Sequence, residues 1–173
     1  EFTDKSIFGE LTWHATERLD LTFGARAFEQ TLDRTAVNTV VHFGIDETEE
    51  NSSDVSDVKF KFNSTYEYAD NHRAYFTFSQ GFRRGGANAF SLSGFLREPV
   101  DLLSYDPDSV DNFEVGLKGR FQNGWTYTAD VFLGKWHDPQ IGGFTAVNFW
   151  PVVFNGEEAE SKGFEIELSG NLT

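Results

Sequence analysis

Residues Tyr105–Gln140 read YDPDSVDNFEVGLKGRFQNGWTYTADVFLGKWHDPQ, and their alternation decides the fold class. Phe113, Val115, Leu117, Gly119 and Phe121 fall on one phase of a period of two, and Asn112, Glu114, Gly116, Lys118 and Arg120 on the other. Gln122–Asn123–Gly124 interrupts the pattern. It restarts with Trp125, Tyr127, Ala129, Val131 and Leu133 against Thr126, Thr128 and Asp130. A period of two marks a strand with unlike faces. Each run lasts about ten residues, the length of a tilted strand that crosses a bilayer, whereas an average globular strand has about 5–6. The stretch predicts a long hairpin with one apolar face.

The totals agree with strands. Of 173 residues, 39% are hydrophobic and 16% aromatic, with 19 Phe, a composition that favours sheet. No run approaches the ~18 apolar residues of a membrane helix. That says nothing against a barrel, whose strands are only half apolar. There is no Cys, which removes disulfides and thiol chemistry. A formal charge of −14 argues against nucleic acid as a partner, since that needs a basic face. The chain opens on Glu1, without Met or a targeting segment, and so reads as a mature product or an internal piece.

Outward from the hairpin, the same alternation predicts strands at Ser6–Ala15, Leu19–Glu29, Asp57–Tyr68, Arg73–Phe82 and Glu158–Leu172, about seven long strands in all. Connections alternate short and long, the asymmetry of outer-membrane barrels. The long ones are expected at about residues 30–57, 83–109 and 137–157, and the first of them, rich in Asp, Glu, Asn and Ser, is expected to be irregular and mobile. Pro99, Pro107, Pro139 and Pro151 all fall in these connections, as they must where strands need every N–H. Trp13, Tyr66, Tyr68, Trp125 and Tyr127 share the apolar phase near the short turns, the expected place of a periplasmic aromatic girdle.

In the order of its short motifs the chain resembles the barrel of the TonB-dependent outer-membrane receptors. The residues concerned are Tyr105-Asp106-Pro107, Glu114-Val115-Gly116-Leu117-Lys118, Asp138-Pro139-Gln140, Asn155-Gly156 and Gly163-Phe164-Glu165-Ile166-Glu167. Ser79-Gln80-Gly81-Phe82-Arg83 with Gly85-Gly86 and Asn88 resembles the family's passage from strand to loop, although Arg84 stands where many relatives have proline. The resemblance implies an all-β, antiparallel transmembrane barrel of twenty-two strands, of which residues 1–173 would be a segment. It also implies a plug domain, which is not seen in this sequence, and TonB-coupled import of a scarce nutrient, often a ferric siderophore, across the outer membrane of a Gram-negative bacterium. Expected partners are outer-membrane lipid and lipopolysaccharide, the TonB complex through an N-terminal part not present here, and a small ligand such as a metal chelate. No cofactor and no enzymatic activity are expected.

Candidate ligand-binding residues gather where strands meet the long connections. Arg83 and Arg84 offer forked donors to an anion, Asn88 follows them, and Trp136, His137 and Gln140 set an aromatic beside hydrogen-bonding groups. Asp46, Glu47, Glu49 and Glu50 could hold a divalent cation through carboxylate oxygens, though without the fixed order of a calcium loop. His14, His42, His72 and His137 have no metal-binding spacing. Lys59, Lys61, Glu114, Lys118, Glu165 and Glu167 are expected to line the interior. Two other readings are a small complete barrel acting as adhesin or anchor, and a soluble β-sandwich binding module. Burial of the aromatic phase would favour the sandwich, and closure of the strands on themselves would favour the complete barrel.

Overall fold

A computed structural model describes residues 1–40, 42, 44–90 and 97–171, without the side chains of residues 36, 38, 40, 45, 47, 49 and 51. The strands are β1 (Phe2–Thr16), β2 (Leu19–Val40), β3 (Ile45–Ala69), β4 (His72–Arg83), β5 (Gly86–Ala87) and β6 (Ser104–Tyr105). They continue with β7 (Asp108–Arg120), β8 (Thr126–His137), β9 (Gln140–Phe144), β10 (Pro151–Asn155) and β11 (Ala159–Ser169). Seven of them form one antiparallel sheet in the order β1-β2-β3-β4-β7-β8-β11. The pairs β5–β6 and β9–β10 are small ribbons in the long connections. The sheet is open, because β1 and β11 are its two edges and do not pair with each other.

The short turns close as their residues allow. Asn71 takes φ 63° between β3 and β4, and Gly124 takes φ 87° between β7 and β8, a region most side chains avoid. At the second turn, the Gly124 N–H donates to the Phe121 carbonyl at 3.0 Å. Glycine is needed at a second kind of place. A Cβ at Gly116 would lie 2.5 Å from Cζ of Tyr75, whose ring folds across β7.

The register carries the alternation through all seven strands. Trp13, Leu21, Ser64, Phe76, Val115, Val131 and Phe164 form one row, and Leu11, Phe23, Phe62, Phe78, Phe113, Leu133 and Lys162 the next. Rings in the second row meet directly, with centroids 4.9 Å apart for Phe23–Phe62 and for Phe78–Phe113. This face is uncovered. Ile7, Phe164 and Ile166 are 76%, 74% and 75% exposed. A sandwich would bury it beneath a second sheet, and among the described residues no such sheet exists. Lipid is the environment that suits a face of this size.

The apolar band also slopes. On β1 it runs from Ile7 to Trp13, and on β11 from Phe164 to Leu168, with Trp13 and Phe164 in the same row. Between these edges the band therefore descends by about five residues, roughly 17 Å at ~3.3 Å per residue. A flat slab of hydrocarbon crossed by tilted strands demands such a slope.

The opposite face is polar and internally paired. Lys61 Nζ lies 3.1 Å from Glu10, Lys59 Nζ 2.8 Å from Asp57, and His14 Nδ1 2.6 Å from Asp20. The Tyr75 hydroxyl donates to Glu114 at 2.6 Å, and Lys118 Nζ sits 5.3 Å from the Tyr75 ring centre.

Residues 30–57 differ from expectation. They are not an irregular connection: β2 and β3 stay paired from Leu32↔Ser53 to Val40↔Ile45. In a two-stranded ribbon alternate residues pair across the ladder whatever the side chains are, and the other backbone groups face water along the open edges. Acidic residues then serve well, because both faces are wet and charge protects the open edges. Near the ribbon's base the β3–β4 ladder stops at Lys61↔Ser79. There Phe82 stacks on Phe28 at 3.9 Å and 6°, and Phe28 is one of three buried apolar side chains among the described residues, with Phe90 and Val152.

If the uncovered face meets hydrocarbon, Val131→Arg in the full-length receptor should lower stability in lipid vesicles by about 2–4 kcal/mol, as charge near the bilayer midplane does. Thr128→Arg, on the polar face, should change it by less than ~1 kcal/mol in the same denaturant titration. Equal costs at the two positions would contradict the assignment of faces.

Candidate functional site at the rim of the sheet

At the end bearing the long connections, strands β4, β7 and β8 leave the sheet together. Arg83 ends β4 opposite Asp108, the first residue of β7. Asp108 is 2% exposed and is the hub of the rim. Arg83 Nε donates to both its oxygens at 3.1 Å, and a second Arg83 nitrogen also binds Oδ2. Trp136 Nε1 donates to Asp108 at 2.9 Å, and the Gln140 backbone N–H at 3.1 Å. The Arg83 guanidinium lies 4.9 Å from the Trp136 ring centre, stacked as a cation on a π face. A buried carboxylate is tolerated only with partners of this number and kind.

A second knot adjoins it. Gln140 Nε2 donates to the carbonyls of Arg84 at 2.7 Å and Asp106 at 3.1 Å. Asn155 receives the Asp106 N–H at 2.7 Å and donates to the carbonyls of Asp106 and Asp138 at 3.0 and 2.8 Å. A Cβ at Gly85 would collide with the Tyr105 carbonyl, so the backbones pass closer than another residue permits.

Two buried polar residues tie the connections together farther out. Asn88 is 9% exposed; its Nδ2 donates to Leu102 and Val153 carbonyls at 2.7 Å each, and its Oδ1 accepts the Val153 N–H at 2.8 Å. Glu98 is 1% exposed and accepts from Thr145 Oγ1 at 2.7 Å, and from Asn148 through N at 3.1 Å and Nδ2 at 2.9 Å. Burial raises the Glu98 pKa, but these hydrogen bonds outweigh it and hold the carboxyl below its ordinary value of 4.5. The β2–β3 ribbon meets the connection after β4 through an Arg34 hydrogen bond to the Ala87 carbonyl, and Arg84 of that connection lies 4.4 Å from the ring centre of Phe2 on β1.

Arg83, Trp136 and Gln140 thus meet around one carboxylate, with Arg84 alongside and Asn88 farther out between the connections. His137 sits at the same rim, Nε2 3.3 Å from Asp111 and Nδ1 3.7 Å from Glu158. Sequence reasoning missed Asp108, Glu98, Thr145 and Asn148. Of these only Asp108 carried a signal: it stands one residue after Pro107, where a strand begins with its first polar group facing the rim. At the opposite end, Tyr68, Tyr66, Trp13, Trp125 and Tyr127 lie beside the short turns. Tyr68 and Tyr127 hydroxyls are 2.6 Å apart, and Tyr127 also meets His72 Nδ1 at 2.9 Å. His72 is the first residue of β4.

In the acidic stretch, Thr39 Oγ1 donates to Asp46 at 3.1 Å. The Glu47 and Glu49 side chains lie outside the described residues, as do residues 91–96 of the second connection and Leu172. Among the described residues no group of three His, Cys, Asp or Glu is placed to hold a metal.

A family model described as "TonB dependent receptor-like, beta-barrel" matches residues 1–173. The chain belongs to the TonB-dependent receptor family. Members of this family are transporters and not enzymes, and the open sheet is a stretch of their barrel wall. A comparison with curated proteins gives no match. Among solved structures, the ferric yersiniabactin uptake receptor FyuA from Yersinia pestis aligns with TM-score 0.76 and 20% identity, over 96% of this chain and 24% of its own. The copper transporter OprC aligns with TM-score 0.74 and 18% identity, over 99% and 27%. The siderophore receptor PiuA from Acinetobacter baumannii aligns with TM-score 0.71 and 20% identity, over 99% and 23%. The chain spans about a quarter of these structures, and at such identities the likeness is one of fold. The receptor-family motifs quoted from the sequence now have a common location. Tyr105-Asp106-Pro107, Asp138-Pro139-Gln140, Asn155-Gly156 and Gly85-Gly86 all belong to the two knots of the rim.

Asp108→Ala would strand an arginine, an indole N–H and a backbone N–H at once. It should cost about 3 kcal/mol of local stability, read as roughly hundredfold faster hydrogen exchange at the Gln140 amide. A second expectation concerns pH. Because the Glu98 pKa is lowered on folding, its stabilisation is complete above about 4.5 and is lost as pH falls through the lower folded value. Exchange at the Asn148 amide should therefore quicken below pH 4.5 in the native receptor and show no such step in Glu98→Gln.

Proposed function

We propose that this chain forms part of the wall and outer rim of an energised uptake receptor in the outer membrane of a Gram-negative bacterium. The observation that carries the reading is the family match over residues 1–173, joined to a seven-strand register whose apolar face is left for lipid. The solute is a scarce nutrient presented as a metal chelate, of ferric siderophore type. Support comes from the fold neighbours, which include a ferric yersiniabactin uptake receptor, a siderophore receptor and a copper transporter. TonB supplies the energy through a part of the receptor outside this chain.

In this reading Trp13, Tyr66, Tyr68, Trp125 and Tyr127 form the periplasmic aromatic girdle. The end with the long connections faces outward among lipopolysaccharide. Arg83, Asn88, Trp136, His137 and Gln140 serve capture by holding the rim in shape, because their polar groups are already engaged with protein partners, and Arg84 joins them through its carbonyl and its stacking on Phe2.

The test uses iron-starved cells that make the full-length receptor, supplied with radioactive iron as catecholate, hydroxamate and carboxylate chelates in turn. One chelate should accumulate in cells with the receptor and not in cells without it, and collapse of the proton-motive force should abolish its uptake. Accumulation that ignores the proton-motive force would overturn the energised reading, and no receptor-dependent accumulation of any iron chelate would overturn the iron assignment.

A further inference from the structure

Where the lipid-facing band ends beside the short turns, one row of the sheet holds a histidine in place of an apolar residue. His72 on β4, Gly119 on β7, Tyr127 on β8 and Leu168 on β11 share that row. The β3–β4 register shifts between Glu67 and Ala69, so Tyr68 stands opposite no residue, and its ring centre lies 6.0 Å from that of His72. Glycine at 119 admits the cluster, since a Cβ there would collide with His72 Nδ1 and with the Tyr127 ring. Phe121 closes it, its ring centre 5.5 Å from His72 and 5.1 Å from Tyr127.

The polar atoms of the cluster form a chain. The Tyr68 and Tyr127 hydroxyls are 2.6 Å apart, and the Tyr127 hydroxyl is 2.9 Å from His72 Nδ1. Each hydroxyl has one hydrogen to give, and so does a neutral imidazole. Whichever way the protons run, the chain is therefore left with a donor at one end and an acceptor at the other. The ends are the Tyr68 hydroxyl and His72 Nε2, and among the described residues neither has a further protein partner. Hydrocarbon would leave both unsatisfied, at a cost in free energy that a headgroup removes. Arg73, Lys118 and Arg120, the basic residues of β4 and β7 at this end, fall on the opposite phase.

We propose that Tyr68, His72 and Tyr127 form a site for the headgroup of a phospholipid that carries a phosphate and a primary ammonium together. The phosphate accepts from the donor end of the chain, and the ammonium donates to the acceptor end. The rings of Tyr68 and Phe121, 42% and 46% exposed, offer their faces to the same cation. A choline headgroup has no N–H to give, and a glycerol headgroup has no cation. A purely anionic headgroup would find no basic side chain of β4 or β7 on this phase to offset its charge. The occupant follows from the place. The site continues the uncovered face that suits lipid, at the level where acyl chains give way to headgroups. The proposal goes beyond the girdle reading by naming a headgroup, and it rests on that reading for the leaflet, the one facing the periplasm.

The test uses the full-length receptor with nitrogen-15 histidine in nanodiscs of phosphatidylcholine, into which phosphatidylethanolamine is mixed stepwise. The His72 ring nitrogens, assigned with His72→Phe, should shift saturably with the phosphatidylethanolamine fraction, while those of His14 and His137 stay in place. Tyr68→Phe, which removes one end of the chain and keeps the ring, should raise the fraction at half saturation roughly fivefold. Tyr127→Phe, which breaks the chain, should do so comparably, and Tyr66→Phe should leave it unchanged. Phosphatidylglycerol in place of phosphatidylethanolamine should give no saturable shift. A shift that grows in proportion to the lipid fraction, or one equal in all variants, would show annular lipid only and overturn the proposal. Saturation with phosphatidylglycerol as well would reduce the site to a phosphate contact and overturn the choice of headgroup. Both leaflets of the nanodisc hold the same lipids and no transport is read. Failure here therefore leaves the girdle and uptake readings intact, and failure of either of those leaves this result intact.

Discussion

Hydrocarbon offers a backbone N–H no partner, so each one in a membrane wall must find a carbonyl in the next strand. The other features of the sheet depend on that constraint. Antiparallel neighbours joined by tight turns satisfy it with the least chain, which accounts for the sheet order following the chain order among the long strands. It keeps proline out of the seven long strands. It also makes the side-chain period two, so that one face must accept lipid while the other takes the carboxylates and lysines. The exposed Phe164 and Ile166 and the paired Lys61–Glu10 are two sides of the same arrangement.

The difficulty moves to the rim, where strands stop and the ladder no longer supplies partners. Side chains take over that work there. Asp108 accepts the Gln140 N–H that no strand receives, Asn88 serves backbone groups of two connections, and Asn155 closes the gap between Asp106 and Asp138. The short motifs that made the family legible are for the most part these fasteners. Each is individually common. Their order along the chain is distinctive because they must converge on one point from three different strand ends.

This explains how far the sequence could be read. The seven strands, their phases and the turns were legible, because alternation over about ten residues is imposed by a strand with unlike environments on its faces. Residues 30–57 were misread because composition speaks of burial, and a two-stranded ribbon needs none; Asp33↔Ser52 and Thr35↔Glu50 pair as well as any apolar couple. At the rim, residues with conspicuous chemistry such as Arg83 and Trp136 were legible as outer-mouth residues, but at two separate strand ends. Their shared partner, Asp108, was not, since a carboxylate looks the same in sequence whether it is solvated or 2% exposed. Glu98 lay deeper still, because its partners Thr145 and Asn148 are some fifty residues away and carry no pattern.

The distribution of these fasteners divides the rim mechanically. The connections after β4 and after β8 share the Asn88, Asn155, Gln140 and Glu98 networks, several of whose members are buried. Separating them would strand donors and acceptors away from water, a cost that rises with each bond left unmade. The β2–β3 ribbon is joined to them, among the described contacts, by the Arg34 hydrogen bond to the Ala87 carbonyl near its base. Any rearrangement at the mouth therefore has a cheap path and a costly one. Parting the two bonded connections is the costly one, because their buried polar groups would lose partners on both sides.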